Sequence, residues 1–418
     1  MKVRIHRGTR EIGGTCIEVE DEGKRIVLDL GLPLDTDPVL VPVPGVPGLN
    51  EPDASLLAIV LSHPHLDHYG LVHKARLEVP ALIGEAAWRI LRAAAPFVRS
   101  GPPLGGRKVH FVSDRMPVRI GPFTVTPYLV DHSAYDAYAF CIEAGGKGVF
   151  YSGDFRAHGR KAALVDRLLN CPPKPIDLLL VEGTALGRGG GAFPTEEDLV
   201  PRFAKTFERT EGLALVWCSG QNIDRLNTVW KAARKARRGL IIDGYTAHVL
   251  AATGNRKCLQ PDWPGASVFW PDNLRVHVAR NNLFHLIDNP TWLRVYPERL
   301  AKLARRSAML FRPSMLRDLE KADCLAGASV TYSMWRGYLD RDHKMTAAFK
   351  RWIGERKIPL HQIHTSGHAD VPTLRRLIRA LDAGTVVPIH SERPEKLKDL
   401  AKNVVLVNDG EWREVGGG

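Results

Sequence analysis

The chain has little cysteine and spaces it without pattern: Cys16, Cys141, Cys171, Cys218, Cys258 and Cys324 are the six in 418 residues, and no two form a CxxC pair. This excludes a disulfide-stapled secreted scaffold and fits reduced core thiols in a cytoplasmic protein, several of them in apolar, strand-like runs. No apolar run approaches the length that crosses a bilayer. The opening Met1-Lys2-Val3-Arg4-Ile5-His6-Arg7 is too charged for a secretory leader, so a soluble chain with no membrane partner is expected. No internal repeat is convincing.

What is present is apolar bulk and positive charge. An apolar content of 44% over this length allows two well-packed domains. Lys and Arg number 58 against 46 Asp and Glu, a net charge of +12. The excess is confined: residues 186–360 hold 29 basic and 17 acidic side chains, whereas the remainder holds 29 of each. A basic solubilising surface explains the total but not the confinement. A polyanionic partner explains both, because Lys and Arg that neutralise phosphates release counterions and supply most non-specific affinity.

The strongest local signal is His63-Pro64-His65-Leu66-Asp67-His68. Histidine is scarce enough that three fixed positions coincide by chance on the order of 10⁻⁴ per window, which disfavours a set of surface histidines in a polar loop. Residues 56–61 before it read as a buried strand, with Ser62 opening a polar loop. Pro64 biases His63 toward extended geometry, and residues two apart in an extended segment point the same way. His63 and His65 can therefore share one ion while Asp67 and His68 turn toward a second. Neutral imidazole binds zinc at roughly 2.0–2.1 Å, and a carboxylate adds charge compensation. Further ligands stand at strand ends. Asp29 ends residues 26–29, His132 follows the β-rich run Phe123–Val130, and Asp154 follows residues 149–151 with a carboxylate suited to bridging two ions. Each alone reads as a turn residue; ordered around the hexapeptide they read as a set.

In this order the residues resemble the metallo-β-lactamase superfamily over roughly the first 180 positions, with Asp29 at its first motif, His63, His65, Asp67 and His68 at its second, His132 at its third and Asp154 at its fourth. The resemblance implies an α/β fold, an αββα sandwich with two divalent metals at one edge, usually zinc, with manganese as the alternative. One ion would be held by His63, His65, His132 and bridging Asp154, the other by Asp67, His68, Asp154 and one more histidine. That histidine arrives only as His390, in Val386-Val387-Pro388-Ile389-His390-Ser391-Glu392, so a long segment must be inserted within one domain.

Glu182, His368 in His364-Thr365-Ser366-Gly367-His368-Ala369-Asp370, and His390 look like motifs A, B and C of the β-CASP group, the nucleic-acid-processing branch. The wording around His368 and His390 is similar to ribonuclease J-like nucleases, as is Glu11-Ile12-Gly13-Gly14, and a histidine at motif C is typical of RNA-processing members. The resemblance thus extends to nearly the whole chain. It implies a ribonuclease that hydrolyses RNA phosphodiester bonds, exo or endo, with hydroxide activated between two ions roughly 3.5–4 Å apart. Asp67 would also accept a proton, His368 would contact the scissile phosphate or help the leaving oxygen, and Glu182 would orient His368. His364, Ser366 and Gly367 would bind substrate. The domains implied are 1–185 and 361–418 for the sandwich and 186–360 for an α/β β-CASP insert. RNA is the expected partner and DNA the alternative; a small-molecule hydrolase has no need of a basic insert. Only 28 residues follow His390, so the extra C-terminal domain of full-length ribonuclease J is not expected here, and a homodimer is an option that the sequence does not decide.

Within the insert, residues 213–218 read as a strand, 219–222 as a turn, Ile223–Lys235 as a helix and 240–243 as a second strand, which is βαβ grammar. Ser219, Gln221 and Asn222 would sit at a helix N-terminus where free N–H groups favour a phosphate, with Arg225 one turn on; simple capping is the equal alternative. Residues 331–338 read as a second substrate loop, with Trp335 or Tyr338 stacking a base and Arg336 on a phosphate, against a core role for the aromatics. Residues 187–191 read as a flexible loop at the domain crossing, 374–381 as a helix, and 404–407 and 411–415 as closing strands.

Overall fold

The computed structural model describes residues 1–98, 104–341 and 344–416. Two compact units emerge, Met1–Phe193 with Gly367–Gly418, and Pro194–Ser366. All six cysteines are free.

The first unit holds two sheets. One runs Trp412–Glu414, Lys2–Arg7, Cys16–Asp21, Lys24–Leu28, Leu56–Val60, Ala81–Gly84, Val109–Val112; the other runs Thr385–Ile389, Leu178–Glu182, Lys147–Tyr151, Ala137–Ala144, Phe123–Val130, Val118–Ile120. Because strand side chains alternate faces, each sheet offers two apolar surfaces. Ile17, Val19, Ile26, Leu28 and Val60 meet Phe123, Val125, Phe140, Ile142 and Leu180 in one buried cluster between the sheets. On the outer face of the first sheet, Val27, Ile59 and Ile83 pack against Ala87 and Leu91 of helix Glu85–Ala94. On the outer face of the second, Ala139, Phe150 and Leu179 pack against Val165 of helix Ala162–Asn170 and Leu374, Leu377 and Leu381 of helix Val371–Leu381. Each large apolar side chain buried this way contributes about 1.5–3 kcal/mol. The result is the αββα sandwich that the motifs imply.

The end of the chain completes this unit. Thr385–Ile389 pairs in parallel with Leu178–Glu182, setting Ile389 opposite Glu182 at the sheet edge. Residues 404–407 do not form the strand anticipated for them and make only an isolated bridge, Val386 with Val404. The reason is local: Val386 N donates to Asn403 O and Val405 N to Val386 O, but the next donor along the edge falls at Pro388, which has no N–H. Trp412–Glu414 does form, antiparallel to Lys2–Arg7.

The second unit is a seven-stranded sheet in the order Arg294–Val295, Ala266–Phe269, Gly239–Asp243, Ser307–Leu310, Ala214–Trp217, Ser329–Tyr332, Leu360–Gln362, with every pairing parallel. Parallel sheets are buried on both faces, which is why Leu213-Ala214-Leu215-Val216-Trp217 is continuously apolar and buried. Helix Ile223–Lys235 lies where expected. Strand Gly239–Asp243, however, is not beside Ala214–Trp217, because Ser307–Leu310 lies between them. Three of this unit's helices start on side-chain caps: Asn222 accepts from Arg225 N, Asp243 from Thr246 N, and Thr195 with Asp198 forms a reciprocal box before Glu196–Arg209.

The hexapeptide loop is laid against the first sheet by backbone bonds. Thr15 N donates to Asp67 O, Gly31 N to Thr15 O, Leu30 N to His68 O and Leu32 N to Leu66 O. Gly31 is required by this approach, since a Cβ there would overlap the carbonyl of Asp67. Gly31→Ala should lower stability by about 1–3 kcal/mol or more in urea unfolding and weaken metal retention. Gly45→Ala, whose Cβ meets nothing within 4 Å, should change stability by less than about 0.5 kcal/mol. Equal midpoints for the two variants would refute the close-approach role.

Candidate metal centre

Asp29 follows strand Lys24–Leu28 with φ +57°, a left-handed conformation that few non-glycine residues adopt. Its buried carboxylate accepts from Ser62 N at 2.7 Å, Ser62 Oγ at 2.6 Å, Tyr151 OH at 2.5 Å and His68 Nδ1 at 2.7 Å. With Nδ1 donating to Asp29, His68 is left with Nε2 as its ligand atom. Nε2 lies 3.1 Å from Asp154 Oδ2.

Around this anchor the side chains converge in three groups whose ligand atoms lie within 4.8 Å of one another: His63, His65 and His132; Asp67, His68, Asp154 and His390; and Asp154, Glu182, His368 and His390. His132 Nε2 is 3.2 Å from His65 Nδ1, and His390 Nε2 is 3.3 Å from Asp67 Oδ2. Two atoms distinguish a ligand set from a hydrogen-bonded network. His63 Nε2 and Asp154 Oδ1 are buried and have no hydrogen-bond partner among the described residues. Leaving such atoms bare costs about 1–3 kcal/mol each, and a cation among them removes that cost. The donor set fits a divalent metal.

Protonation agrees. Burial, reinforced by neighbouring imidazoles, holds His63 and His132 well below the usual imidazole range and brings His65 down to about 4. Burial would raise Asp67 and Asp154, but the surrounding histidines hold both well below the usual carboxylate range. Neutral imidazoles and ionised carboxylates are the forms that ligate. His68 is opposite: burial would lower it, but Asp154, Asp29 and Asp67 push it well above 6.5. The carboxylates thus demand positive charge at this point.

His390 is delivered by the edge strand Thr385–Ile389 and held at φ +51°. Its N–H donates to Gly8 O at 2.7 Å, and Thr184 Oγ1 lies 2.9 Å from its Nδ1. The Glu182 carboxylate accepts from Thr184 N and Ala369 N and lies 3.5 Å from His368 Nδ1, which is 3.6 Å from Asp154 Oδ2. Burial would lower His368, but Glu182 and Asp154 raise it to about 8.

A model of the β-lactamase superfamily domain matches residues 34–196, and one of the Zn-dependent metallo-hydrolase RNA specificity domain matches residues 354–411. Residues 34–196 therefore form a domain of the β-lactamase superfamily. The chain is similar to ribonuclease J of Synechocystis sp., 26% identical across the whole chain and 66% of that protein, and to ribonuclease J of Helicobacter pylori, 21% identical across the whole chain and 60% of that protein. It therefore spans less than two thirds of these relatives' length. A solved structure of a protein of unknown function from Enterococcus faecalis V583 shares the fold, with a TM-score of 0.78, 21% identity and 99% of each chain covered.

The residues anticipated at the insert's substrate surface fare unequally. Ser219 is exposed and its Oγ accepts from Gln221 N, Gln221 Nε2 donates to Tyr245 OH, and Asn222 is engaged as the helix cap. His364 and Ser366 are half-buried, with His364 Nδ1 3.4 Å from Arg225 Nη1. In the sandwich unit, Gly367 lies so close to Ser133 that a Cβ would sit 2.6 Å from its Oγ. Arg225 is a correction. It is fully buried, and its five N–H donors go to both Glu196 oxygens, Ser333 O, Ser333 Oγ and Thr365 O, leaving none for a phosphate.

Sequence reasoning missed Tyr151 and Ser62, which hold Asp29, and Thr184, which faces His390. It also missed Asp131, which accepts from Gly159 N at 2.7 Å and whose carbonyl accepts from Arg156 N, fixing the loop that carries His132. Only adjacency to the motifs marks them. Arg225→Met should destabilise the second unit by about 3–5 kcal/mol, because the buried Glu196 loses its ion-pair partner. Unchanged urea stability with lost RNA affinity would return Arg225 to the binding surface.

Proposed function

We propose that this chain is a metal-dependent ribonuclease of the β-CASP type, hydrolysing RNA phosphodiester bonds with two divalent ions, zinc foremost. The observation that carries the reading is the convergence of His390 on Asp67 beside the Glu182 and His368 pair, with both histidines inside the segment that matches the RNA specificity model. The basic second unit supports a nucleic-acid substrate, and the named activity of the ribonuclease J relatives supports RNA over DNA.

His63, His65 and His132 with Asp154 would hold one ion, and Asp67, His68, Asp154 and His390 the other. Such ions, when bound, polarise a phosphodiester and lower the pKa of water toward 7. The chain's own groups do the rest. Asp67, ionised and only partly enclosed, accepts the proton of the water that attacks phosphorus. His368, whose pKa Glu182 raises, meets the phosphate charge and donates a proton to the departing oxygen as the P–O bond breaks. Asp29 and Thr184 position His68 and His390. No helix among the described residues is long and apolar enough to cross a membrane, in keeping with a cytoplasmic site of action.

The test is hydrolysis of single-stranded RNA and DNA labelled at either end, with zinc or manganese, with a chelator, and with Asp67→Asn. RNA cleavage should vanish with the chelator and fall by about 10³-fold or more in the variant, and label position distinguishes exo from endo attack. Metal content should drop from two ions per chain to one in His390→Ala. Cleavage that survives both chelator and variant sinks the metal reading, and preferential cleavage of DNA sinks the RNA reading.

A further inference from the structure

Residues 331–341 hold an aromatic pair that neither the core nor the metal centre uses. Strand Ser329–Tyr332 ends in the second unit, and the short helix Arg336–Asp340 follows, so this segment is an ordered step and not the loop anticipated. Tyr332 points inward with Trp217, Phe311, Phe349 and Trp352 in the buried cluster, whereas Trp335 is 36% and Tyr338 43% exposed. A core role is excluded for these two rings. Phe284 and Tyr296 of the same unit are also exposed, but neither makes a ring contact among the described residues.

The pair is built. The Trp335 and Tyr338 rings meet edge to face at 5.3 Å and 89°, and the Arg341 guanidinium lies 5.7 Å from the first ring centre and 5.1 Å from the second, joining them by cation–π contact. Gly337 lets the indole lie where it does, since a Cβ there would run into the ring. Two large aromatics kept at the surface in a fixed mutual geometry mark a contact site. Arg336 adds a second cation, paired among the described residues with Asp340 at 3.3 Å, both groups exposed, a pair weak enough to yield to a phosphate.

We propose that Trp335 and Tyr338, flanked by Arg336 and Arg341, form a stacking platform for the bases of single-stranded nucleic acid, a proposal that rests on the chain being an RNA-processing enzyme. Charge selects this occupant over a protein: residues 194–366 carry 28 basic against 17 acidic side chains. Every base presents a π-face, so such a platform binds strands with little regard to sequence while the arginines track the backbone.

The test is fluorescence anisotropy in chelator, where no strand is cut, with a labelled single-stranded RNA and a matching strand whose bases are removed. Wild type should bind the base-bearing strand at least about fivefold tighter than the abasic one. Trp335→Ala/Tyr338→Ala should lose that preference while keeping its affinity for the abasic strand, and Trp335→Phe should keep part of it. A preference intact in the double variant, or affinity lost equally for both strands, overturns the platform alone. Wild type that binds neither strand overturns the RNA reading and the platform with it.

Discussion

One buried carboxylate organises the sandwich unit. Asp29 gathers donors from its own sheet through Ser62, from the facing sheet through Tyr151, and from the hexapeptide loop through His68. A carboxyl group inside an apolar core is costly unless its lone pairs are satisfied, and here four donors satisfy them. The same bonds hold Asp29 in its left-handed conformation, whose strain is on the order of 1–3 kcal/mol. Sheet packing and ligand geometry are therefore one problem. If the sheets shift, Tyr151 and Ser62 leave Asp29, and His68 loses the bond that aims its Nε2.

The second constraint is closure over distance. Glu182 and His390 are neighbours in space because Thr385–Ile389 adds to the edge of Leu178–Glu182, with 202 residues lying between the two strands in the chain. Glu182 then fixes the returning segment from the other side, accepting from Ala369 N and from Thr184 N, while Thr184 meets His390. The centre cannot assemble in the first part of the chain alone. The strand that closes the sheet and the ligand that closes the metal set are consecutive residues, so docking one supplies the other.

Legibility followed how local the cause was. Metal chemistry demands particular residue types at fixed spacing, so His63, His65, Asp67 and His68 stand out unaided, and their companions follow by order. Phe123–Val130 and Ile223–Lys235 form with the bounds the sequence suggests, because alternation in one and an Asn cap in the other act within a few residues. Ser307–Leu310 between two strands of a βαβ unit was not legible, since strand neighbours are a tertiary choice. Arg225 misled for a related reason. Its type suits a phosphate, but its fate is decided by Glu196 on another helix and by the carbonyls of Ser333 and Thr365. Pro388 was in view throughout, yet its effect on residues 404–407 appears only once an edge is known to be there.

The two units meet opposite electrostatic demands. A metal set needs histidines held neutral and carboxylates held ionised, and the unit that contains it is balanced, with 30 basic and 29 acidic side chains. Strand capture needs cations in excess, and the second unit supplies them. Within that unit the buried Arg225 is matched by Glu196 on a neighbouring helix, whereas Arg336 lies at the surface with Asp340. Buried guanidinium requires a full set of acceptors and becomes a clamp; surface guanidinium keeps weak partners and remains free to exchange them for phosphate. The same residue type thus serves folding in one place and recognition in another, and burial decides which.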